Sequence, residues 1–291
     1  MRKSLNWLWL ISPALILIIA LFGGSLFFNI AGSLGFFSPT GNGSFSIDGY
    51  TQIGDDREVI TAFWFTFVLT CGSTILSAIC GVALAVWLRR QMQNSITLRT
   101  LLQIPLAVPH LAVSLILLNL LTPSGIFSRI VYQLGLIETP SEFPILVADE
   151  YGFGIIAAYV LKETPFIALI VLTVLTRIGN EFEQVAMNLG ASVWQRFRFV
   201  TLPLIAPSAV FSSLIVWVFV FGAFEIPFIL GRTFPTMLSV VAQRKFNATN
   251  LAERPEAFAL AVLMTIIVMV FVWIYLRSTR NLIEFEKTSI F

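Results

Sequence analysis

Long apolar stretches recur along the chain, separated by short polar segments. Six of them, 7–31, 59–88, 101–121, 152–177, 204–230 and 258–276, reach the roughly 20 residues that a helix needs to cross a bilayer. The first follows Arg2 and Lys3. It is too long for the apolar core of a signal peptide and ends without a small-residue cleavage site, so it reads as an uncleaved anchor. Proline interrupts several spans, at Pro105 and Pro109, at Pro165, and at Pro207 and Pro227. Each removes a backbone hydrogen bond and bends or breaks the helix. In lipid this is tolerated where neighbouring protein or a wet cavity satisfies the freed groups. Ordinary kinked packing accounts for such a pattern, and so do spans that surround a pathway.

The spans divide the remaining residues into two alternating sets. The N-terminus, 89–100, 177–203 and 277–291 carry eleven basic residues, against six in 32–58, 122–151 and 231–257. The excess places both termini in the cytoplasm. Trp7, Trp9, Trp87 and Trp273 fall near span ends, where amphipathic rings prefer to sit. The expected architecture is an all-α integral membrane protein of six transmembrane helices. It comprises an anchor helix with an external loop (1–58), a membrane core (59–276) and a cytoplasmic tail (277–291).

Composition narrows the function. Of 291 residues 57% are hydrophobic and 12% charged, about half the roughly 25% charge of a soluble domain. A net charge of +2 is too small for a nucleic-acid footprint, so the expected surroundings are lipid. Cys71, Cys80 and one histidine give neither a disulfide framework nor a metal site. The sequence contains no phosphate-cradling P-loop and no serine-hydrolase or zinc-protease motif. No catalytic residue, metal or cofactor is expected.

The segment 178–203, IGNEFEQVAMNLGASVWQRFRFVTLP, carries two helix starts. Asn180 with Glu183 makes an N-cap with an acidic residue three positions on, and Ser192 with Gln195 makes a capping box. Gly190 sits where the first helix should end in a left-handed residue, and Pro203 is expected to close the second. Phe182, Val185, Ala186 and Leu189 give one helix an apolar side, and Val193, Trp194, Phe197 and Val200 the other. Helices this short are marginal in water unless they pack against something. They lie either on the protein's own membrane end or in the groove of a separate soluble protein.

This segment resembles the cytoplasmic loop of type I ABC importer permeases, E-A-A-x(3)-G-x(9)-I-x-L-P. Here it reads Gln184, Val185, Ala186, then Gly190, then Val200, Leu202 and Pro203, with Glu183 one position before the acidic residue of the pattern. The segments 105–110 (PLAVPH), 162–166 (KETPF) and 224–228 (FEIPF) are also similar to the family, the first and last most closely to its polyamine (spermidine and putrescine) branch. The resemblance implies a multi-pass permease of the bacterial inner membrane, coupled through the loop between helices 4 and 5. It also implies two copies of an ATP-binding subunit that performs the hydrolysis, a second permease and an external solute-binding protein. Glu183, Gln184, Val185, Ala186, Gly190, Ala191, Trp194, Phe197, Leu202 and Pro203 are then the residues that couple to the ATPase, with Trp194 and Phe197 as its anchors.

Ionisable groups inside spans are costly and often functional. Lys162, Glu163 and Glu225, with His110 and Asn119 as weaker candidates, either line the solute route or, for Lys162 and one glutamate, pair between helices. The alternative to an ABC permease is a secondary transporter that works alone on an ion gradient, using the same three charges as a relay. Inverted repeats often mark such proteins, and none is visible here.

Overall fold

The structure is a computed structural model and describes residues 6–36, 45–89 and 96–279. Arg2, Lys3, Arg90, Arg280, Lys287 and most of the tail 277–291 lie outside the described residues, as do the side chains of Trp7, Trp9 and Arg99. In chain order the helices are α1 (Asn6–Ile18), α2 (Gly24–Ser33), α3 (Asp48–Asp55), α4 (Arg57–Arg89), α5 (Ile96–Ala107), α6 (His110–Leu121) and α7 (Ile126–Gln133). They continue with α8 (Phe153–Ile178), α9 (Glu181–Asn188), α10 (Val193–Arg196), α11 (Leu202–Gly222), α12 (Glu225–Leu230), α13 (Leu238–Phe246) and α14 (Arg254–Ser278). There is no strand among the described residues, and six helical segments are long and apolar enough to cross a membrane.

Proline and glycine decide where the expected spans break. The third is split at Pro109 into α5 and α6, and the membrane-length segment runs from His110 to Gln133. The fifth ends at Gly222 rather than at 230; Ala223 is extended and α12 starts anew. Pro165 and Pro207, by contrast, sit inside continuous helices. The first span contains a π-turn at Ile19–Gly23 between α1 and α2. Helices α3, α7 and α13 lie in segments read as loops from the sequence.

The chain divides into two compact units. The first comprises 1–62 and 238–267. Its core is Ile53, Val59, Ala62, Leu238, Val241, Ala259 and Leu260. Gly32 meets the ring of Phe258 so closely that a Cβ there would lie 2.5 Å from it. Asp56 caps α4 by accepting the Glu58 amide at 2.9 Å, and its other oxygen accepts from Lys245 at 3.0 Å. Lys245 also donates to Glu256 at 2.7 Å. Burial opposes charge on both Asp56 and Lys245. For Asp56 the bonds from Lys245 and from the α4 amides win, holding its carboxyl below the usual carboxylate range. For Lys245 the two carboxylates win and hold its ammonium above the usual lysine range.

The second unit comprises 63–237 and 268–291. Helix α8 forms its centre, with Ile155, Tyr159, Ile167, Val171 and Leu175 fully buried or nearly so. Gly81 lets α4 approach: a Cβ there would lie 2.9 Å from Ile167. Trp217 of α11 stacks on Phe271 at 3.5 Å between centroids and donates its indole N–H to Cys71 Sγ.

Candidate functional site

The elbow between the fourth and fifth membrane-length helices is written locally in the chain. Gly179 follows α8 with φ +73 and turns the backbone into α9. At the end of α9, Ala191 N–H donates to the Ala186 carbonyl and Gly190 N–H to that of Met187, with Gly190 at φ +83. This is the Schellman ending that glycine permits. The capping box opening α10 is complete: Ser192 N–H donates to Gln195 Oε1 at 2.8 Å, and Gln195 N–H to Ser192 Oγ at 3.3 Å.

Two local expectations fail. Asn180 occupies the N-cap position of α9 but makes no side-chain cap bond, its backbone at φ −103 and ψ 0 lacking the extended N-cap conformation; the Glu183 carboxylate is engaged elsewhere. Pro203 does not close the second helix: α10 passes through a π-turn, Phe197–Thr201, directly into α11. A π-turn pairs each carbonyl with the amide five residues on. The carbonyl four residues before Pro203, which proline cannot serve, thereby has another donor within reach.

The apolar sides of the two short helices are not covered by their own chain. Phe182, Val185, Leu189, Val193 and Trp194 are exposed, Leu189 by 84% and Trp194 by 68%. Gln184 and Pro203 are exposed too, whereas Ala186, Ala191, Phe197 and Leu202 are half-buried. Trp194 and Phe197 have ring centroids 5.6 Å apart, so the exposed ring rests on the partly sheltered one. Beside them opens a cleft of about 670 Å³ lined by Trp87, Arg89, Glu183, Gln184, Met187 and Arg196, among others.

Glu183 points away from that exposed ridge. One carboxylate oxygen accepts from Arg89 Nη1 at 2.5 Å and from Thr201 Oγ1 at 2.7 Å. The Arg89 Nη2 donates to the carbonyl of Gly179. Arg89 and Thr201 are buried, and neither was singled out for coupling from the sequence. The only signal was a basic residue in the last turn of a span.

A second polar group lies within the spans. Lys162 is 3% exposed and bonds no glutamate; its Nζ donates to the carbonyls of Pro105 at 2.6 Å and Val108 at 2.7 Å. Pro109 has no N–H, so the Pro105 carbonyl four residues earlier has lost its helical donor, and the ammonium replaces it. Glu163 is buried and lies 3.4 Å from His110 Nε2, whose ring packs 4.8 Å from that of Phe219. Glu225 is exposed at the first position of α12. Asn119 is exposed and bonds the Leu115 carbonyl of its own helix. The structure thus joins Lys162 to the broken helix and His110 to Glu163. Fully buried Tyr159, one turn before Glu163, was missed from the sequence; its hydroxyl has no hydrogen-bond partner. No group of three or more potential metal ligands occurs among the described residues.

Residues 77–283 match the family described as binding-protein-dependent transport system inner membrane component. A probable ABC transporter permease protein of Brucella suis is 26% identical over 236 residues, 80% of this chain and 81% of that one. The trehalose/maltose transport system permease protein of Thermococcus litoralis is 28% identical over 240 residues, 79% of this chain and 78% of that one. Among solved structures, a bacterial ABC transporter that imports the acidic polysaccharide alginate has the same fold. Its TM-score is 0.77 at 18% identity, over 96% of this chain and 98% of that one. With six membrane-length helices and no strand among the described residues, the chain belongs to this family and is a multi-pass inner-membrane permease subunit of an ABC importer.

Proposed function

We propose that the elbow formed by α9 and α10 is the surface on which a separate ATPase docks, two copies serving each complex, and that this chain forms part of the solute route. The observation that carries this reading is the uncovered ridge of Phe182, Val185, Leu189, Val193 and Trp194 around the Gly190 bend. Buried aromatics tend to carry interface energy, and short helices with bare apolar sides need a groove to fill. Gln184 and Trp194 then face the ATPase, Phe197 backs Trp194, and Ala186, Gly190, Ala191, Leu202 and Pro203 shape the elbow. Both termini lie on the cytoplasmic side with it. A second permease completes the pathway, and a binding protein supplies solute from outside. Residues 59–276 are the permease core, 1–58 its anchor and external loop, and 277–291 a cytoplasmic tail.

The route runs past His110, Glu163 and Glu225, with Asn119 further along α6 and Lys162 holding the broken helix beside them. The two acids favour a cation, in line with the polyamine resemblance of 224–228. The two relatives above whose names state a solute carry sugars, so a saccharide is the competing class. Purification in mild detergent should bring down an ATPase, a second permease and a binding protein. Uptake into proteoliposomes containing that complex then separates the solutes. Glu225→Gln should lower spermidine uptake about tenfold; trehalose uptake by the unaltered complex, with none of spermidine, would remove the polyamine reading. Uptake by this chain alone on an ion gradient would remove the ABC mechanism.

A further inference from the structure

Glu183 stands one position before the acidic residue of the family loop pattern, where contact with the ATPase is the natural expectation. Its carboxylate is instead committed to its own chain. It holds Arg89 at the end of α4 and Thr201 before α11, and Arg89 in turn holds the Gly179 carbonyl just past α8. The partners are 94, 18 and 90 residues apart in sequence, so no local propensity creates this knot. The ends of three membrane-length helices and the first short helix of the elbow all meet in it. Beneath it Leu175, Ile178, Phe182, Val200 and Leu204 line only a narrow gap, so this side of α9 packs closely on the helix ends. Charge-assisted bonds are stronger than neutral ones, and a cluster with every member engaged is stiff.

We propose that Arg89, Glu183 and Thr201 are the transmission points of the elbow. A push on α9 reaches α4, α8 and α11 together through one carboxylate and one guanidinium, and these residues position the spans without touching the ATPase. The proposal rests on the docking assigned above, and its test keeps the two distinguishable. The full complex, with its ATPase, second permease and binding protein, is reconstituted in proteoliposomes carrying Arg89→Gln, Glu183→Gln, Thr201→Val or Thr201→Ser. ATPase co-purification and ATP hydrolysis should persist in all four. Solute imported per ATP should fall about tenfold in Arg89→Gln and Glu183→Gln and less in Thr201→Val. Thr201→Ser keeps the hydroxyl and should restore the ratio lost in Thr201→Val, an outcome that a merely packed methyl does not give. Thr201→Val also covers the case in which loss of Arg89 prevents folding. Unchanged import per ATP in Arg89→Gln overturns the proposal, and so does loss of ATPase binding in Glu183→Gln. Failure of the unaltered complex to retain an ATPase would instead overturn the docking reading.

Discussion

Two charge clusters, one in each unit, do opposite things with the apolar surface around them. In the first unit Lys245 draws together Asp56 and Glu256 from the starts of two long helices. Next to it Arg244 pairs with Glu58 at 2.5 Å, and the apolar residues beside this cluster are core. In the second unit Arg89 and Glu183 draw in one side of α9, yet the other side leaves Leu189, Val193 and Trp194 bare. The first cluster closes a seam. The second leaves a ridge: the Glu183 carboxylate of α9 reaches inward, while Val185 and Leu189 of the same helix stay outside. An apolar ridge left bare beside an engaged charge is what the proposed docking surface requires, whereas the seam of the first unit serves its own core.

The largest expected effect comes from removing the ridge. Trp194→Ala should weaken ATPase association by about 2 kcal/mol or more, the scale of an interface anchor, measured by titrating the ATPase onto the detergent-solubilised permease. Unchanged affinity would place the docking surface elsewhere. Next comes the seam. Lys245→Met leaves two carboxylates without their cation and should lower unfolding stability by about 1–3 kcal/mol, read as a fall in Tm, while import per ATP stays constant. A change in coupling instead would erase the distinction between the clusters.

A β-branched side chain resists the left-handed backbone of Gly190, at a cost of about 1–3 kcal/mol. Gly190→Val should therefore uncouple transport from hydrolysis, which single-batch assays of uptake and phosphate release will show. Ser192→Ala should cost the elbow about 1 kcal/mol, visible as faster amide exchange at 192–196. The smallest effect is that of pH on the seam. Asp56 is held low, so its contribution is present above its unfolded value near 3.8 and is lost as pH falls through the folded one. Lys245 is held high, so its contribution is present below its unfolded value near 10.5 and is lost as pH rises through the folded one. Between about pH 5 and 9 amide exchange in α13 should be insensitive to this cluster, and Asp56→Asn should remove the acid limb.

Local devices in the elbow were legible in the sequence because all their partners lie within five residues: Gly190 with its Schellman bonds, Ser192 with Gln195. Asn180 and Glu183 had the same local spelling and misled: the Asn180 backbone is not extended, and a cation 94 residues away takes the Glu183 carboxylate. Lys162 shows the same limit. Its depth in a span was readable and suggested a glutamate, but a carbonyl stranded by Pro109 and 57 residues distant took the ammonium. The six spans were readable because lipid demands sustained length. Their breaks at Pro109 and Gly222 were not, since Pro165 and Pro207 show that the same residue type can sit inside an unbroken helix.

The continuous backbone from Val193 through Gly222 has a mechanical consequence. Its 30 residues form one rod about 45 Å long at 1.5 Å per residue. A tilt of about five degrees at the Trp194 end displaces the far end by about 4 Å, on the scale of one helical turn. The widened ring of backbone at Phe197–Thr201 is the irregular turn between Trp194 and α11, and so the place where this helix would yield first. Under the docking proposed above, its stiffness would set how much of a stroke delivered at Trp194 travels the length of the helix.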